Sequence, residues 1–162
     1  MPWLLPATYF RALVLKNVRV LALDIGEKRV GVACGDTCTL VALPLQVVDA
    51  QLVESYSGTF KRLVEDHEPE AFVVGLPKSL DGTEGMQAQR IRKVVQNLRQ
   101  KLRIPVYFVD ERLSSAQAKR FMRDQGFSEK QMRGKLDCVA ASLFLQAWFD
   151  SLVTGTEELY EP

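Results

Sequence analysis

Histidine is almost absent from this chain of 162 residues, with His67 its single example. Cysteine is nearly as scarce, at Cys34, Cys38 and Cys138. One imidazole and three scattered thiols exclude the repeated CxxC or Cys/His spacing of a zinc site. An odd, sparse cysteine count argues for a reducing compartment and against a disulfide framework. Cys34 and Cys138 are expected as small core residues. No apolar run reaches the roughly 18 residues of a membrane span, so no membrane partner is expected. Residues 1–17 lack acidic residues and serine, and they lack the sustained apolar region of a secretory signal. We read them as an N-terminal extension, followed by one domain over 18–152 and a tail over 153–162.

What is present suits one soluble domain: 47% hydrophobic and 25% charged residues, in a chain long enough to bury a core without staples. The net charge of +1 says nothing about nucleic acid, but its distribution does. Residues 85–136 hold 13 of the 21 Lys/Arg and 4 of the 20 Asp/Glu, leaving 8 against 16 elsewhere. A basic block in an otherwise acidic chain is an electrostatic footprint of nucleic-acid binding. The bland alternative is that amphipathic helices carry solvated cations on their outer faces.

Residues 18–25 are a nearly continuous apolar run, as expected of a central strand covered on both faces. A short turn at 26–28 leads to a second, antiparallel strand over 29–34. Residues 39–48 read as a third strand, with Pro44 at an edge or bulge. Leu52, Val53, Tyr56, Phe60, Leu63 and Val64 form one helical stripe that Pro69 ends. A buried strand over 71–75 follows. Thr83 is placed as N-cap of a second helix carrying Met86, Ile91, Val94, Val95, Leu98 and Leu102. A last strand over 106–110 precedes helices over 114–125 and 136–152. The order predicts an α/β fold: a five-stranded mixed sheet with helices on both faces.

Acids at three places stand out. Asp24 ends the most apolar strand, where a charge is costly unless paired, exposed or bound to a cation. Gly26 and Gly31 beside it let backbone or substrate come close. Asp110 and Glu111 follow the last strand and, being adjacent, point to opposite faces. Asp137 opens the final helix on the side of Ala140, Ala141, Phe144 and Trp148, from which it could reach toward Asp24. Each has a bland counterpart: a turn Asp, a solvated cluster at Asp110–Arg112, a helix-start anion. Three carboxylates on separate elements suit Mg²⁺ or Mn²⁺, which prefer oxygen ligands.

Four ordered blocks carry a resemblance: Asp24–Ala33 (DIGEKRVGVA), Gly75–Gly85 (GLPKSLDGTEG), Val109–Ala118 (VDERLSSAQA) and Leu136–Gln146 (LDCVAASLFLQ). Together they resemble the YqgF/RuvX family of Holliday-junction-resolvase-like proteins, also described as pre-16S rRNA nucleases, across about residues 18–150. The resemblance implies a ribonuclease H-like fold, a cytoplasmic protein and a role in maturing the 5′ end of 16S ribosomal RNA. The family's acids fall on Asp24, Glu111 and Asp137, as catalytic residues and metal ligands, and its hairpin Arg on Arg29. The hairpin ends Cys34-Gly35-Asp36, where the family more often shows a Ser before Asp, and the third block reads Ser114-Ser115 where Thr is usual; neither departure touches the acids.

The side chains assigned to nucleic acid are Arg29, Lys78, Arg90, Arg92, Lys93, Arg112, Lys119, Arg120 and Arg123. Residues 128–135, poor in apolar side chains, are expected as a mobile flap. The expected partner is structured nucleic acid, either precursor ribosomal RNA or branched DNA, and a homodimer stays open. Two other functions compete. The Asp-x-Gly hairpin also resembles the phosphate-binding hairpin of actin-like ATPases and sugar kinases, which clamp nucleotide between two such domains. A non-catalytic nucleic-acid-binding module of the same fold is the second.

Overall fold

Alternating buried side chains in five short segments build one mixed sheet in the computed structural model, which describes residues 16–77, 81–110 and 114–154. β1 (Arg19–Ile25), β2 (Arg29–Asp36) and β3 (Leu43–Asp49) form the expected antiparallel meander. β4 (Ala71–Leu76) and β5 (Val106–Asp110) pair in parallel on the other side of β1, giving the order β3-β2-β1-β4-β5. The described helices are α1 (Ala50–Ser55), α2 (Gly58–His67), α3 (Met86–Leu102), α4 (Ser114–Asp124), α5 (Glu129–Arg133) and α6 (Leu136–Thr154).

The period-two alternation sorts the strands into two cores. Leu21, Leu23 and Ile25 of β1, with Phe72, Val74, Val106 and Phe108, face Phe60 of α2 and Ile91 and Val95 of α3. Val20, Ala22, Val73, Tyr107 and Val109 face Ala141, Phe144, Leu145, Trp148 and Phe149 of α6. β1 is thus buried on both sides, which explains its unbroken apolar run. A third cluster joins Ala118 and Met122 of α4, Met132 of α5, and Val139 and Ala140 of α6. α6 is therefore sandwiched between the sheet and α4–α5. By length and composition it could cross a membrane, but 61% of its most apolar window is buried in the protein core.

Four expectations need correction. The stripe over 52–64 is two helices, because Tyr56 takes a left-handed conformation (φ 51°) and ends α1 before Gly58 starts α2. Thr83 is not an N-cap: its N–H and hydroxyl donate to the Asp81 carboxylate, and Gly85 precedes α3. Those bonds hold the Asp81 carboxyl below the ordinary range. The third strand starts at Leu43 rather than 39, because Asp36 instead accepts the N–H groups of Cys38 and Thr39 in a turn. Residues 128–135 are not an unanchored flap. Ser128 and Gln131 form a reciprocal capping box on α5, and Met132 is buried, only 4% exposed.

The contact that places α6 is visible in the glycines. β2 presents Gly31, Ala33 and Gly35 to α6, a strip of minimal side chains. A Cβ at Gly31 would coincide with the backbone of Asp137 and Cys138, and one at Gly35 would strike the Phe149 ring and the Val41 carbonyl. The first turn of α6 thus lies backbone to backbone on β2. Gly31→Ala is expected to destabilise the protein by about 1–3 kcal/mol, since backbone cannot yield as a flexible side chain does. Urea unfolding checks this, and an unchanged midpoint would refute the packing argument.

Candidate active site

Asp24 follows Val20 and Ala22 on the α6 face of β1, and it stands opposite Gly31 in the β1–β2 ladder. Gly31 is where the Asp137 backbone rests. The two acids are therefore brought to the same face of the sheet at the same level. Both line an open cleft of about 460 Å³, together with Gly26, Glu27, Lys28 and Arg29. Sequence reasoning found Asp24, Arg29 and Asp137. It read Glu27 and Lys28 only as turn residues, and only the hairpin's proximity to both acids could have flagged them.

Asp137 lies in the first turn of α6, where the helix dipole favours negative charge. Arg29 Nε is 3.4 Å from its Oδ2, and an Arg29 guanidinium nitrogen also donates to the Arg133 carbonyl at 3.4 Å. Arg29 thus ties β2 to the α5–α6 junction while standing over the cleft. Burial first, and more weakly the neighbouring Asp137 charge, push the Cys138 thiol up, and its S–H donates to the Lys135 carbonyl at 3.1 Å. The anionic donors of the described lining are therefore carboxylates. Hard oxygen donors around an open cleft fit Mg²⁺ or Mn²⁺. Among the described residues no group of three His, Cys, Asp or Glu side chains comes together. Glu111, the third acid of the expected triad, lies outside the described residues. Asp110 continues the Val106–Phe108 alternation and so belongs to the α3 face, away from Asp24.

The basic residues divide by what they touch. Arg90 donates to the Gly26 and Glu27 carbonyls and to the Glu54 carboxylate. Arg92 makes a two-pronged pair with Glu84, whose hydrogen bonds push its pKa up, and lies 4.8 Å from the Phe108 ring centroid. Both are engaged within the fold. Lys93, Lys119 and Arg120 are exposed, and Arg123 is exposed with Glu129 at 3.1 Å. Lys78 and Arg112 lie outside the described residues.

The family model described as "RuvX: Holliday junction resolvase" matches residues 18–151. A protein of Methylobacillus flagellatus named "Putative pre-16S rRNA nuclease" is 41% identical over 135 residues, spanning 83% of this chain and 92% of its own. One of Dechloromonas aromatica with the same name is 42% identical, over 82% of this chain and 90% of its own. Among solved structures, RuvC of Thermus thermophilus in complex with a Holliday junction substrate matches with TM-score 0.52 at 17% identity, over 90% of this chain and 99% of that one. Fowlpox virus resolvase with Holliday junction DNA matches with TM-score 0.52 at 14% identity, over 83% and 99%. These neighbours bear out the ribonuclease H-like fold.

The Arg29–Asp137 pair is too solvated to carry much stability, with the Arg29 side chain 60% exposed. Arg29→Gln should cost less than about 1 kcal/mol. Denaturant titration checks it, and a larger loss would mean that Arg29 is chiefly a structural strut.

Proposed function

Because this chain belongs to the RuvX family, we propose that it is a metal-dependent endonuclease acting on the 5′ end of pre-16S ribosomal RNA, in the cytoplasm, as part of ribosome biogenesis. One observation carries the reading: Asp24 and Asp137, from a strand and a helix far apart in sequence, line one open cleft rimmed by Lys28 and Arg29. A fold-only module has no need to hold two carboxylates at one cleft. Asp24, Asp137 and Glu111 are the proposed ligands of Mg²⁺ or Mn²⁺. Glu111 is the acid that the family resemblance implies for its block, whereas Asp110 continues the alternation of the other face. Such ions, when bound, activate water and stabilise the leaving oxygen of a phosphodiester. The two aspartates fix the ion's place from rigid elements, and Arg29, with its exposed guanidinium, is suited to hold a phosphate of the substrate.

Relatives named for pre-16S RNA at about 41% identity favour RNA as substrate. The family description keeps a branched-DNA resolvase as the second reading. Side-by-side cleavage of labelled precursor RNA and a four-way DNA junction, with and without Mn²⁺, separates them. Asp24→Asn, nearly isosteric, should keep the fold and lose most activity on the preferred substrate. Excess EDTA should abolish cleavage. Mn²⁺ should replace Mg²⁺, and Ca²⁺ should support binding with little turnover. Undiminished activity in EDTA would end the metal proposal.

No histidine, the side chain that titrates in the neutral range, is among the described cleft residues. His67 lines a separate depression with Arg19 and Pro69. The rate should therefore rise with pH through neutrality as the attacking water ionises, and His67→Ala should leave that profile unchanged. Loss of the pH dependence in His67→Ala would implicate a protein base instead.

The exposed cations of α4 are the proposed phosphate contacts. Charge reversal at Arg120 and Arg123 should weaken binding and flatten the dependence of log affinity on log salt, by about one unit of slope per lost contact. An unchanged slope would move the binding face elsewhere.

A further inference from the structure

Four consecutive carbonyls from Ile25 to Lys28 are each taken by a donor, the first three by side chains of α3 on the far face of the sheet. The Ile25 carbonyl accepts Gln87 Nε2 at 3.2 Å, and that of Gly26 accepts Arg90 at 2.8 Å. The Glu27 carbonyl accepts Arg90 at 3.1 Å, and that of Lys28 accepts the Ala50 N–H at 3.0 Å. One guanidinium thus spans two adjacent turn carbonyls, and its own position is set by Glu54 at 2.7 Å. The tied segment runs directly from Asp24 to Arg29, and Gly26, Glu27 and Lys28 are themselves cleft wall.

We propose that Arg90 is a positioning residue, which latches the β1–β2 turn to α3 and so holds the Asp24 carboxylate and the Arg29 guanidinium in their working places. It acts through the turn: its described partners are the Gly26 and Glu27 carbonyls and the Glu54 carboxylate. Its planar fork is what the task needs, because two carbonyls and a carboxylate must be met at once, which an ammonium on a flexible stem does less well. With the carbonyls held toward α3, the turn is fixed before substrate arrives. A displacement of about 1 Å at a reacting group can cost roughly a hundredfold in rate.

The inference rests on Asp24 being a metal ligand, so the test carries Asp24→Asn in parallel. In the full-length protein, Arg90→Met should lower kcat roughly ten- to hundredfold. It should also raise the Mn²⁺ concentration needed for half-maximal binding of the metal alone, and leave KM for the nucleic acid little changed. Arg90→Lys should recover part of both losses, and Glu54→Gln should show a weaker form of them. Val95→Ala, a core truncation on the same helix, supplies a variant of lowered melting temperature with the latch intact, and it should retain kcat. A raised KM with normal kcat in Arg90→Met would make Arg90 a phosphate contact and overturn the proposal. So would a kcat loss that Val95→Ala reproduces at equal melting temperature. If Asp24→Asn is inactive while Arg90→Met keeps full kcat, the latch fails and the site stands. If Asp24→Asn is fully active, the site reading itself fails.

Discussion

The approach of α6 to β2 at Gly31 is the constraint from which the cleft follows. A side chain on β2 at that point would hold the helix off the sheet, and Asp137 would move away from Asp24 with it. Ala33 and Gly35 continue the same low surface, so the helix lies close along the strand rather than at one point. The helix must then be apolar around much of its circumference, because Tyr107 and Ala22 meet one side and Met122 and Met132 the other. The short α4 and α5 complete that burial. The site is thus held by packing, and packed elements are not continuously deformable.

Packing brings two like charges to one cleft, and that repulsion has to be met. The start of α6 offers its dipole to Asp137, and Arg29 offers a full charge at 3.4 Å. Solvent screens the Arg29 charge, and the dipole is spent within one turn. Carboxylate oxygens at an open cleft are the donors that a hard divalent cation prefers. Placing these charges at the end of the sheet leaves the core beneath them apolar. The residues that precede Asp24 on its face of β1 are Val20 and Ala22, both buried.

Where local pattern and tertiary packing agree, the residues could be read directly. The buried alternation of Leu21, Leu23 and Ile25 against Val20 and Ala22 marks a central strand, and the order of strands and crossovers then leaves few topologies. Asp24 and Asp137 were legible because a charge at the tip of an apolar strand, or on the inward side of an apolar helix, needs a reason. The break at Tyr56 was not, since its apolar stripe continues through a left-handed residue that no periodicity reveals. The anchoring of α5 was missed because a single buried methionine in a polar stretch carries little weight in composition, and the capping box of Ser128 and Gln131 was not read from it. Asp81 took Thr83 into its own turn because a short acidic side chain competes for nearby N–H groups wherever the backbone allows.

The basic block shows why counting charges overstates a binding surface. Of its cations, Arg90 closes a turn, Arg92 pairs with Glu84 over Phe108, and Lys101 donates to the Ser55 carbonyl. Such groups release few counterions on meeting a phosphate backbone, because protein partners already meet their charge and donors. The same residues that make the sequence look like an electrostatic footprint therefore brace α3 against the sheet and the hairpin. Exposed cations remain along α3, α4 and α5, and those of α4 stand on a helix whose Ala118 and Met122 pack on α6 within a turn of Asp137. The exposed cations of α4 thus sit on an element anchored to the helix that carries Asp137.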